Sequence, residues 1–420
     1  MGPRKPVYFR QANATTTAGP VAYLNLMEGN GGGVVVDGSG WKLMPLSVMP
    51  VAMADRSKAL PLPEPVRAND GVSLLDRLTR HIPLEPVRKS DDPDDIGTQQ
   101  RASVLMFLGA QVYRPGPVPH LMFAGAQGSS KTTTARRIKS LTDPDEVDVV
   151  TSLPADEAAL YAIAAQQGVL VVDNLSLIQR DISDVLAALA TGAGHQKREL
   201  YSDGGRAVFR AKSSLILTTI REDLLQQADL AQRTLVVHLP PLDPKQRRTE
   251  KELDRAWGAD RPRILADLLD AVSGGLARLD AVEAAVTAGL LPPLPRLADA
   301  ALLAEAMAQG LGWKPGLCIN AVNAAQASEA ERQLEENPYA FRVRALLEAN
   351  KGAWCGTRAE LYTALQFEKG PDWGRARDNI QAFTAFADRA SGPMRSVWGL
   401  HTETLRSHGK RSLKLSMMHP

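Results

Sequence analysis

The segment from Gly125 to Thr132, GAQGSSKT, has the residue types and nearly the spacing of a phosphate-binding loop, G-x-x-x-x-G-K-[ST]. It lies between an apolar run typical of a strand and a segment typical of a helix. Gly125 and Gly128 allow backbone N–H groups to approach phosphate oxygens, and the helix start adds the positive end of its dipole. Ser130 stands where the last glycine is usual, so the loop is expected to be strained or to use a different turn. The pattern predicts an ATP site.

Two side chains at the end of this loop have specific predicted roles. Lys131 is expected to reach the β- and γ-phosphates, and Thr132 is expected to give its hydroxyl to Mg²⁺. The other contacts are expected from the loop itself and from the first residues of the helix. The predicted contact residues are Gly125, Ala126, Gln127, Gly128, Ser129, Ser130, Lys131, Thr132 and Thr133.

Asp173 ends the apolar segment GVLVVD and is the second predicted element of the ATP site. An aspartate at the tip of a strand beside the phosphate loop can hold Mg²⁺ together with Thr132. The next residue is Asn174, at the position where an acidic catalytic base is usual. The sequence therefore predicts ATP binding more strongly than it predicts ATP hydrolysis. Asn174 could orient the attacking water, and Glu157 is an alternative base.

The composition indicates a globular protein with ordinary cores. The chain has 420 residues, of which 44% are hydrophobic, which is enough for two or three domains. The net charge is only +2, so an anionic partner must meet a local patch. Two cysteines, Cys318 and Cys355, lie far apart without histidines at metal-ligand spacing, which argues against a zinc site or a disulfide scaffold and fits a reducing cytoplasm. We see neither a leader peptide nor an apolar run of membrane-spanning length, so no membrane partner is expected.

Strand-like and helix-like segments alternate from Thr98 to about Leu242, which predicts an α/β fold with a parallel sheet and helices on both faces. The predicted strands are Leu121–Ala124, Val147–Thr151, Val169–Asp173, Ser214–Thr219 and Thr234–Leu239. The predicted domains are an irregular N-terminal appendage at 1–95, an ATPase core at 96–243, a helical lid or bundle at 244–350 and a small α/β unit at 351–420.

The two outer regions carry weaker signals. DGSG, from Asp37 to Gly40, predicts a hairpin turn, and a short helix is predicted at Gly71–His81. In the last region, the predicted helices are Thr357–Leu365 and Trp373–Arg389, and the predicted strands are Ser396–Leu400 and Ser412–Met417.

Three segments follow Asp173 in a fixed order: LATGAGHQKRELYSDGGRAVFRAK, SSLILTTI and DLAQRTLVVHLPPL. This order resembles the AAA+ ATPases of the superfamily 3 helicase type, and more closely the ATP-binding proteins of actinobacterial phages and integrative elements that occur beside primase modules. The resemblance runs from about Leu60 to the end of the chain, and its motifs are specific as a set. It implies an AAA+ phosphate-loop sheet with a β-hairpin before its fourth strand, a helical lid and a C-terminal winged helix.

The segments KRELYSD and RAVFRAK alternate around Gly204 and Gly205, which predicts a β-hairpin from local chemistry alone. The resemblance implies that this hairpin projects into the pore of a ring and grips DNA phosphates. The residues that would supply its positive charge are His195, Lys197, Arg198, Arg206 and Arg210. A charged hairpin that is merely solvated is the alternative, because charge does not need phosphate.

The resemblance also implies residues that sense the nucleotide. SSLILTTI matches the strand that carries a polar γ-phosphate sensor, normally Asn. This chain offers Thr218 or Thr219, and Thr219 completes the predicted ATP contacts, although the pattern leaves open which of the two faces the site.

Arg233 matches the arginine finger, which acts on a neighbouring subunit and so implies a closed ring, a hexamer by analogy. A surface salt bridge is the alternative. Arg261 and Arg263 are candidates for a second sensor. The predicted catalytic residues are Lys131, Asp173, Asn174 and Arg233.

The tail resembles the winged helix that ends members of this family. Its basic residues outnumber the one nearby acid, Glu403, and they are Arg395, Arg406, Lys410, Arg411 and Lys414. Lys410 and Arg411, in the basic turn, are predicted to contact a DNA backbone. Winged helices also dock proteins, and that alternative stays open.

The leading hypothesis is therefore an ATP-dependent DNA helicase or translocase in the replication of a phage or mobile element, with a primase or polymerase as a partner on another chain. A helicase loader or origin initiator that switches with ATP but does not translocate needs the same motifs, and Asn174 favours it. A small-molecule kinase would have no use for the hairpin or for Arg233. A scaffold with a dead site would bind ATP weakly and form no ring.

Overall fold

Residues 1–326 and 327–420 form separate units in this computed structural model, and each unit is considered by itself. The structure describes residues 7–8, 10–27, 32–53, 58–154, 156–198, 206–221, 224–225, 227–243, 245, 248–335, 338–365, 383, 387, 394–395, 397–407 and 410–417. None of the helices in these ranges is long and apolar enough to cross a membrane.

The N-terminal region contains two small sheets. Its strands are β1 (Val7–Tyr8), β2 (Gln11–Thr16), β3 (Gly19–Asn25), β4 (Gly32–Asp37), β5 (Gly40–Pro45) and β6 (Ala52–Met53). Strands β2 to β5 form an antiparallel meander in chain order, and β1 pairs with β6 in parallel. Asp37 pairs with Gly40, which confirms the predicted hairpin turn. The prediction of an irregular appendage was wrong.

The middle of the chain contains a parallel sheet. Its elements are α1 (Leu74–Thr79), α2 (Ile96–Val112), β7 (His120–Ala124), α3 (Lys131–Thr142), α4 (Glu157–Gln166), β8 (Val169–Val172), α5 (Arg180–Thr191), β9 (Gly194–Arg198), β10 (Arg206–Arg210), β11 (Ser214–Thr219), α6 (Ala228–Ala231) and β12 (Thr234–His238). The four parallel strands lie in the order β12-β7-β11-β8. This confirms the predicted parallel sheet. The predicted strand Val147–Thr151 is reduced to one bridge, between Val150 and Val172.

Both faces of this sheet are buried, as the uninterrupted apolar strands require. Leu121 and Phe123 of β7 belong to one apolar core, together with residues of α2 and α3. Met122, between them, belongs to a second core that contains residues of α4 and α5. The alternation places helices on the two faces, as predicted from the sequence.

Helices follow the sheet. They are α7 (Glu250–Leu276), α8 (Leu279–Thr287), α9 (Ala298–Gly310) and α10 (Leu317–Glu335). The long helix α7 packs on α2, α9 and the N-terminal sheet. This shared packing explains why the predicted boundaries after residues 95 and 243 fall inside one unit.

The N-terminal sheet is anchored on α7 and α3 by contacts between distant parts of the chain. Ser273 of α7 donates a hydrogen bond to the backbone carbonyl of Asp37, at 2.6 Å. Arg10 forms a buried ion pair with Asp143, at the end of α3, at 3.2 Å. A pattern read over a short window cannot reveal such partners, and this explains the failed prediction of irregular structure.

The second unit contains a three-stranded antiparallel sheet. Its elements after α10 are α11 (Pro338–Ala349), β13 (Ala353–Gly356), α12 (Arg358–Ala364), β14 (Leu400–Ser407) and β15 (Lys410–Met417), and the strand order is β13-β15-β14. Helix α12 and strand β15 confirm two predictions, whereas β13 was not predicted. The predicted strand Ser396–Leu400 was wrong, because Val397 and Trp398 are helical and β14 begins at Leu400. Most of the predicted helix Trp373–Arg389 lies outside the described residues.

Candidate functional site

The loop from Gly125 to Ser130 connects the end of β7 to the start of α3. Gly125 has φ +145° and Gly128 has φ +85°, which are conformations that favour glycine. A Cβ atom built on Gly125 would lie 2.7 Å from the carbonyl oxygen of Leu239, so a larger residue does not fit there. The loop therefore has the strand–loop–helix context that the sequence motif requires.

Ser130 occupies the N-cap of α3 in the left-handed conformation, with φ 59° and ψ 27°, and its side chain forms no capping hydrogen bond. This conformation costs a residue with a Cβ atom roughly 1–2 kcal/mol. The loop thus keeps a backbone shape that suits glycine and bears strain at Ser130, which decides between the two possibilities left open by the sequence.

Lys131 folds back over the loop. Its Nζ donates to the carbonyl oxygens of Gly125, at 2.9 Å, and of Ala126, at 2.8 Å. Burial lowers the pKa of Lys131, and the nearby Asp173 carboxylate acts in the opposite direction. The amine therefore lies on the loop whose N–H groups are expected to meet phosphate.

Thr132, Asp173 and Thr218 come together at one edge of the sheet. The Thr132 hydroxyl donates to Oδ1 of Asp173 at 2.8 Å, and the Thr218 hydroxyl donates to the same oxygen. Asp173 follows β8 and Thr218 is near the end of β11. The carboxyl ends of parallel strands meet at the same edge, which is where ligands bind in open α/β sheets. This group of three side chains is called the Asp173 cluster below.

The Asp173 cluster has donor chemistry that fits Mg²⁺. The carboxylate of Asp173 and the hydroxyl of Thr132 are hard oxygen ligands, and they already lie within hydrogen-bond distance of each other. A cation between them would replace their mutual hydrogen bond. The predicted metal ligands, Thr132 and Asp173, are thus adjacent in the structure.

The two threonines at the end of β11 have different surroundings. Thr219 is fully buried, donates to the carbonyl oxygen of Leu175 at 2.8 Å and accepts from the N–H of Arg221 at 2.9 Å. Thr218, rather than Thr219, reaches Asp173. The sequence could not distinguish them, because every residue of β11 is buried and alternation marks no face.

Asn174 directly follows Asp173 and is exposed, with φ 54°. Its backbone N–H donates to the hydroxyl of Thr218 at 2.9 Å, which ties this turn to the Asp173 cluster. Glu157, the alternative base, begins α4. Asn174 is therefore adjacent to the Asp173 cluster both in the sequence and through this backbone hydrogen bond.

Arg233 follows α6 and precedes β12, as the sequence predicts. Within one chain it forms an ion pair with Asp229, and its Nη1 also donates to the backbone carbonyl of Asp229 at 3.0 Å. Arg296 approaches the same carboxylate, at 2.6 Å. The salt bridge that was the alternative interpretation of Arg233 is therefore present within one chain.

The two candidates for a second sensor lie elsewhere. Arg261 donates to the carbonyl oxygen of Ser140 at 2.5 Å, and Ser140 is nine residues beyond Lys131, roughly 14 Å along α3. Burial lowers the pKa of Arg261 to about 10. Arg263 pairs with Asp260 at 3.4 Å. The described contacts place neither arginine at the Asp173 cluster.

The predicted charged hairpin is present as β9 and β10. These strands pair antiparallel, with Arg206 opposite Arg198, Ala207 opposite Lys197, Phe209 opposite His195 and Arg210 opposite Gly194. The turn that contains Gly204 and Gly205 lies outside the described residues.

In the second unit, β14 and β15 pair so that Arg406 faces Arg411 and Ser407 faces Lys410 in the register. Lys414, also basic, pairs with Glu403. Residues 408 and 409 of the basic turn lie outside the described residues, and Arg395 is exposed. The register therefore gathers three of the predicted basic residues at one end of a hairpin.

Comparison with solved structures gives weak likenesses. The A form apo structure of the NrS-1 C-terminal region has a TM-score of 0.37 and 9% identity, and the match covers 92% of this chain and 94% of that one. An apo structure of the same region, residues 305–718, has a TM-score of 0.34 and 9% identity, with 94% and 96% covered. None of the curated proteins compared with the chain matches it.

A family model gives a more specific result. The model is described as an actinomycete integrative conjugative element replication protein, and it matches residues 97–320. That range begins in α2, contains the loop from Gly125 to Ser130, the Asp173 cluster, the hairpin and Arg233, and ends in α10. Since the match spans a little over half of the chain, the chain belongs to this family of replication proteins of actinomycete integrative conjugative elements.

Proposed function

We propose that the chain is an AAA+ ATPase of the superfamily 3 helicase type that moves along DNA, or separates its strands, during replication of its mobile element. The observation that carries the proposal is the convergence of Thr132, Asp173 and Thr218 at the carboxyl edge of the sheet, next to the loop that ends in Lys131. Membership of a replication protein family supports DNA as the partner.

The strand order supports an ATPase core of this type. The phosphate loop follows β7, which lies inside the sheet, while Asp173 follows β8 at its edge. Strand β11 lies between these two and brings Thr218 toward both. The hairpin of β9 and β10 is inserted directly before β11, where the family resemblance expects it.

ATP binding would begin with a change of partners at Lys131. Its amine leaves the carbonyl oxygens of Gly125 and Ala126 and meets the β- and γ-phosphates, which are stronger acceptors because they are charged. Thr132 and Asp173 would hold Mg²⁺, which would supply positive charge to neutralise the phosphates. Thr218 keeps the carboxylate of Asp173 oriented.

Hydrolysis would need a water molecule that is positioned to attack the γ-phosphate. It would also need a positive charge from a neighbouring subunit. Asn174, beside Asp173, can orient water with its amide, and Glu157 is the available acid of the first turn of α4. Arg233 would act on the nucleotide of the next subunit in a closed ring, proposed to be a hexamer. Arg233 would then have to break its ion pair with Asp229 and bind the phosphate at the subunit interface.

The hairpin and the tail would contact DNA. Residues two apart on a strand belong to one face, so the register assigns positions 198, 206 and 210 to one face of the hairpin and positions 195 and 197 to the other. Three arginine positions on one face are suited to a phosphate backbone. Lys410 and Arg411, at the end of the hairpin in the proposed winged helix, provide a second basic site.

One observation favours a second function, a helicase loader or origin initiator that binds ATP as a switch. The residue after Asp173 is Asn174, and the sensor position holds Thr218, so two groups usual for efficient hydrolysis are replaced. A primase or polymerase on another chain remains the proposed protein partner in both cases.

Strand separation distinguishes the two functions. The wild type, Lys131→Ala and Arg206→Ala are incubated with ATP, Mg²⁺ and a forked DNA duplex, and released single strand is measured. A helicase separates the fork in the wild type only, while Arg206→Ala keeps its basal ATP turnover. ATP-dependent binding without release of a strand would support the switch and reject the helicase.

A further inference from the structure

A cavity of about 420 Å³ lies between α3 and α7 in the first unit and is bordered by Leu60 and Pro61. We call it the α3–α7 pocket. Its volume is within the range of small-molecule sites, about 300–1,000 Å³. Arg137 and Ser140, which line it, follow Lys131 by six and nine residues, so they lie roughly 9 and 14 Å farther along α3. Thr133 marks the end nearest the phosphate loop.

Two arginines that line this pocket have buried guanidinium nitrogens without an acceptor among the described residues. Arg137 is only 7% exposed; its Nη1 donates to the carbonyl oxygen of His81, while its Nε and Nη2 have no acceptor among the described residues. Arg261 donates to the carbonyl oxygen of Ser140, and its Nε likewise has no described acceptor. Neither guanidinium forms an ion pair in the part of the chain that the structure describes. The carboxylate of Asp254 is an opposite charge that acts on Arg137, but it forms no ion pair with it among the described residues. Buried charge without a direct ion pair is costly, which points to an anionic ligand.

Helix α7, which also carries Arg261, supplies an aromatic ring and acceptors. Trp257 lines the pocket with its indole N–H bonded to the hydroxyl of Ser140 at 3.0 Å. Glu250 and Asp254, from the same helix, also line it. These carboxylates would repel a ligand that is only anionic, but they would accept hydrogen bonds from a ligand that also carries N–H or O–H groups.

We propose that the α3–α7 pocket binds a small phosphate ester whose ring carries hydrogen-bond donors, the chemistry of a mononucleotide, and that it does so independently of the phosphate loop. Arg137 and Arg261 bind the phosphate, since guanidinium groups match its geometry. The ring lies near Trp257, and its donors meet Glu250 and Asp254. This site would hold a second ligand beside the ATP of the proposed function.

The test is a calorimetric titration of the full chain with adenosine monophosphate, carried out with and without a saturating non-hydrolysable ATP analogue and Mg²⁺, which occupy the phosphate loop. We expect the analogue to leave the affinity for adenosine monophosphate unchanged within about twofold. Arg137→Gln or Arg261→Gln should weaken binding by at least about tenfold, because each removes a charged contact to phosphate. Either variant serves if the other does not fold.

Arg136→Gln is the matched control. Arg136 is the neighbour of Arg137 on α3 and also lines the pocket, but it is half exposed and already pairs with Asp148 at 3.2 Å. Its loss should change the affinity by less than about threefold. Binding that disappears when the ATP analogue is present would mean that the pocket merely extends the ATP site, and would overturn the proposal. Absence of binding in every form, or an equal loss in Arg136→Gln, would overturn it as well. Absence of ATP turnover would reject only the proposed function.

Discussion

The hydroxyl of Thr132 lies 2.8 Å from Oδ1 of Asp173, and Thr218 donates to the same oxygen. If Thr132 is a Mg²⁺ ligand and Thr218 only orients the carboxylate, their loss should have unequal effects. We expect Thr132→Val to lower kcat/KM for ATP about 100-fold, and Thr218→Val about tenfold, which correspond to roughly 2.7 and 1.4 kcal/mol.

The two valine variants are compared by measuring ATP turnover across a titration of Mg²⁺. Raising the Mg²⁺ concentration should rescue part of the activity of Thr132→Val, because weaker binding is offset by mass action. Wild-type activity in Thr132→Val would remove Thr132 from the metal site.

Arg233 is predicted to act across a subunit interface. Arg233→Ala should abolish ATP turnover but leave ATP binding intact, and mixing it with Lys131→Ala should restore part of the turnover. Restoration is expected because some mixed interfaces combine an intact phosphate loop with an intact Arg233. Arg296→Ala, which removes the other partner of Asp229, is the control and should keep at least about half of the activity. A mixture that stays inactive at every ratio would contradict action in trans.

His120 gives the first unit a predicted pH dependence. Its Nδ1 accepts from the N–H of Leu215 at 3.0 Å and its Nε2 lies 2.8 Å from the carbonyl oxygen of Leu186, an arrangement that needs the neutral ring. Burial lowers the pKa of His120 from 6.5 to about 4. Below pH 6.5 the unfolded chain therefore binds a proton that the folded chain does not, and the stability contributed by His120 falls as the pH drops from 6.5 to 4.

Between pH 7 and pH 5 this loss amounts to about 2 kcal/mol. We expect His120→Asn, which does not titrate but can still accept from Leu215, to reduce the pH dependence by that amount. Urea unfolding of both proteins at the two pH values measures the difference. Equal pH dependence in the variant and the wild type would show that His120 is not responsible.

Substitution of Arg10 tests whether this residue anchors the N-terminal sheet within the first unit. Its guanidinium pairs with the buried Asp143 and also donates to the carbonyl oxygens of Asn25 and Leu60. Arg10→Ala leaves a buried carboxylate without this partner and should lower the free energy of unfolding by about 3–5 kcal/mol. Lys314→Ala, which breaks the exposed pair with Asp91, should cost less than about 1 kcal/mol. Similar losses in the two variants, measured by chemical denaturation, would count against the anchoring role.

The sequence predicted the structure best where a short segment carries the whole signal. The loop from Gly125 to Thr132 and the four strands of the parallel sheet could be read directly, because spacing and apolar runs suffice there. The N-terminal sheet could not, since its anchor partners, such as Asp143 for Arg10, are more than a hundred residues away.

The choice between Thr218 and Thr219 and the ion pair of Arg233 with Asp229 also needed the structure. The identity of the threonine and the partner of Arg233 each depend on the direction of a side chain, which residue spacing alone does not give. The strand Ser396–Leu400 failed for a different reason, because a short apolar run such as Ser-Val-Trp-Gly-Leu fits a helix end as well as a strand.

Lys131 is proposed to belong to an ATP site that is coupled to DNA. Steady-state ATP hydrolysis by the wild type and by Lys131→Ala, each with and without single-stranded DNA, tests this proposal. We predict turnover that rises when DNA is added to the wild type and that is lost in Lys131→Ala under both conditions. ATP turnover that does not change when DNA is added, or that persists in Lys131→Ala, would rule out this proposal.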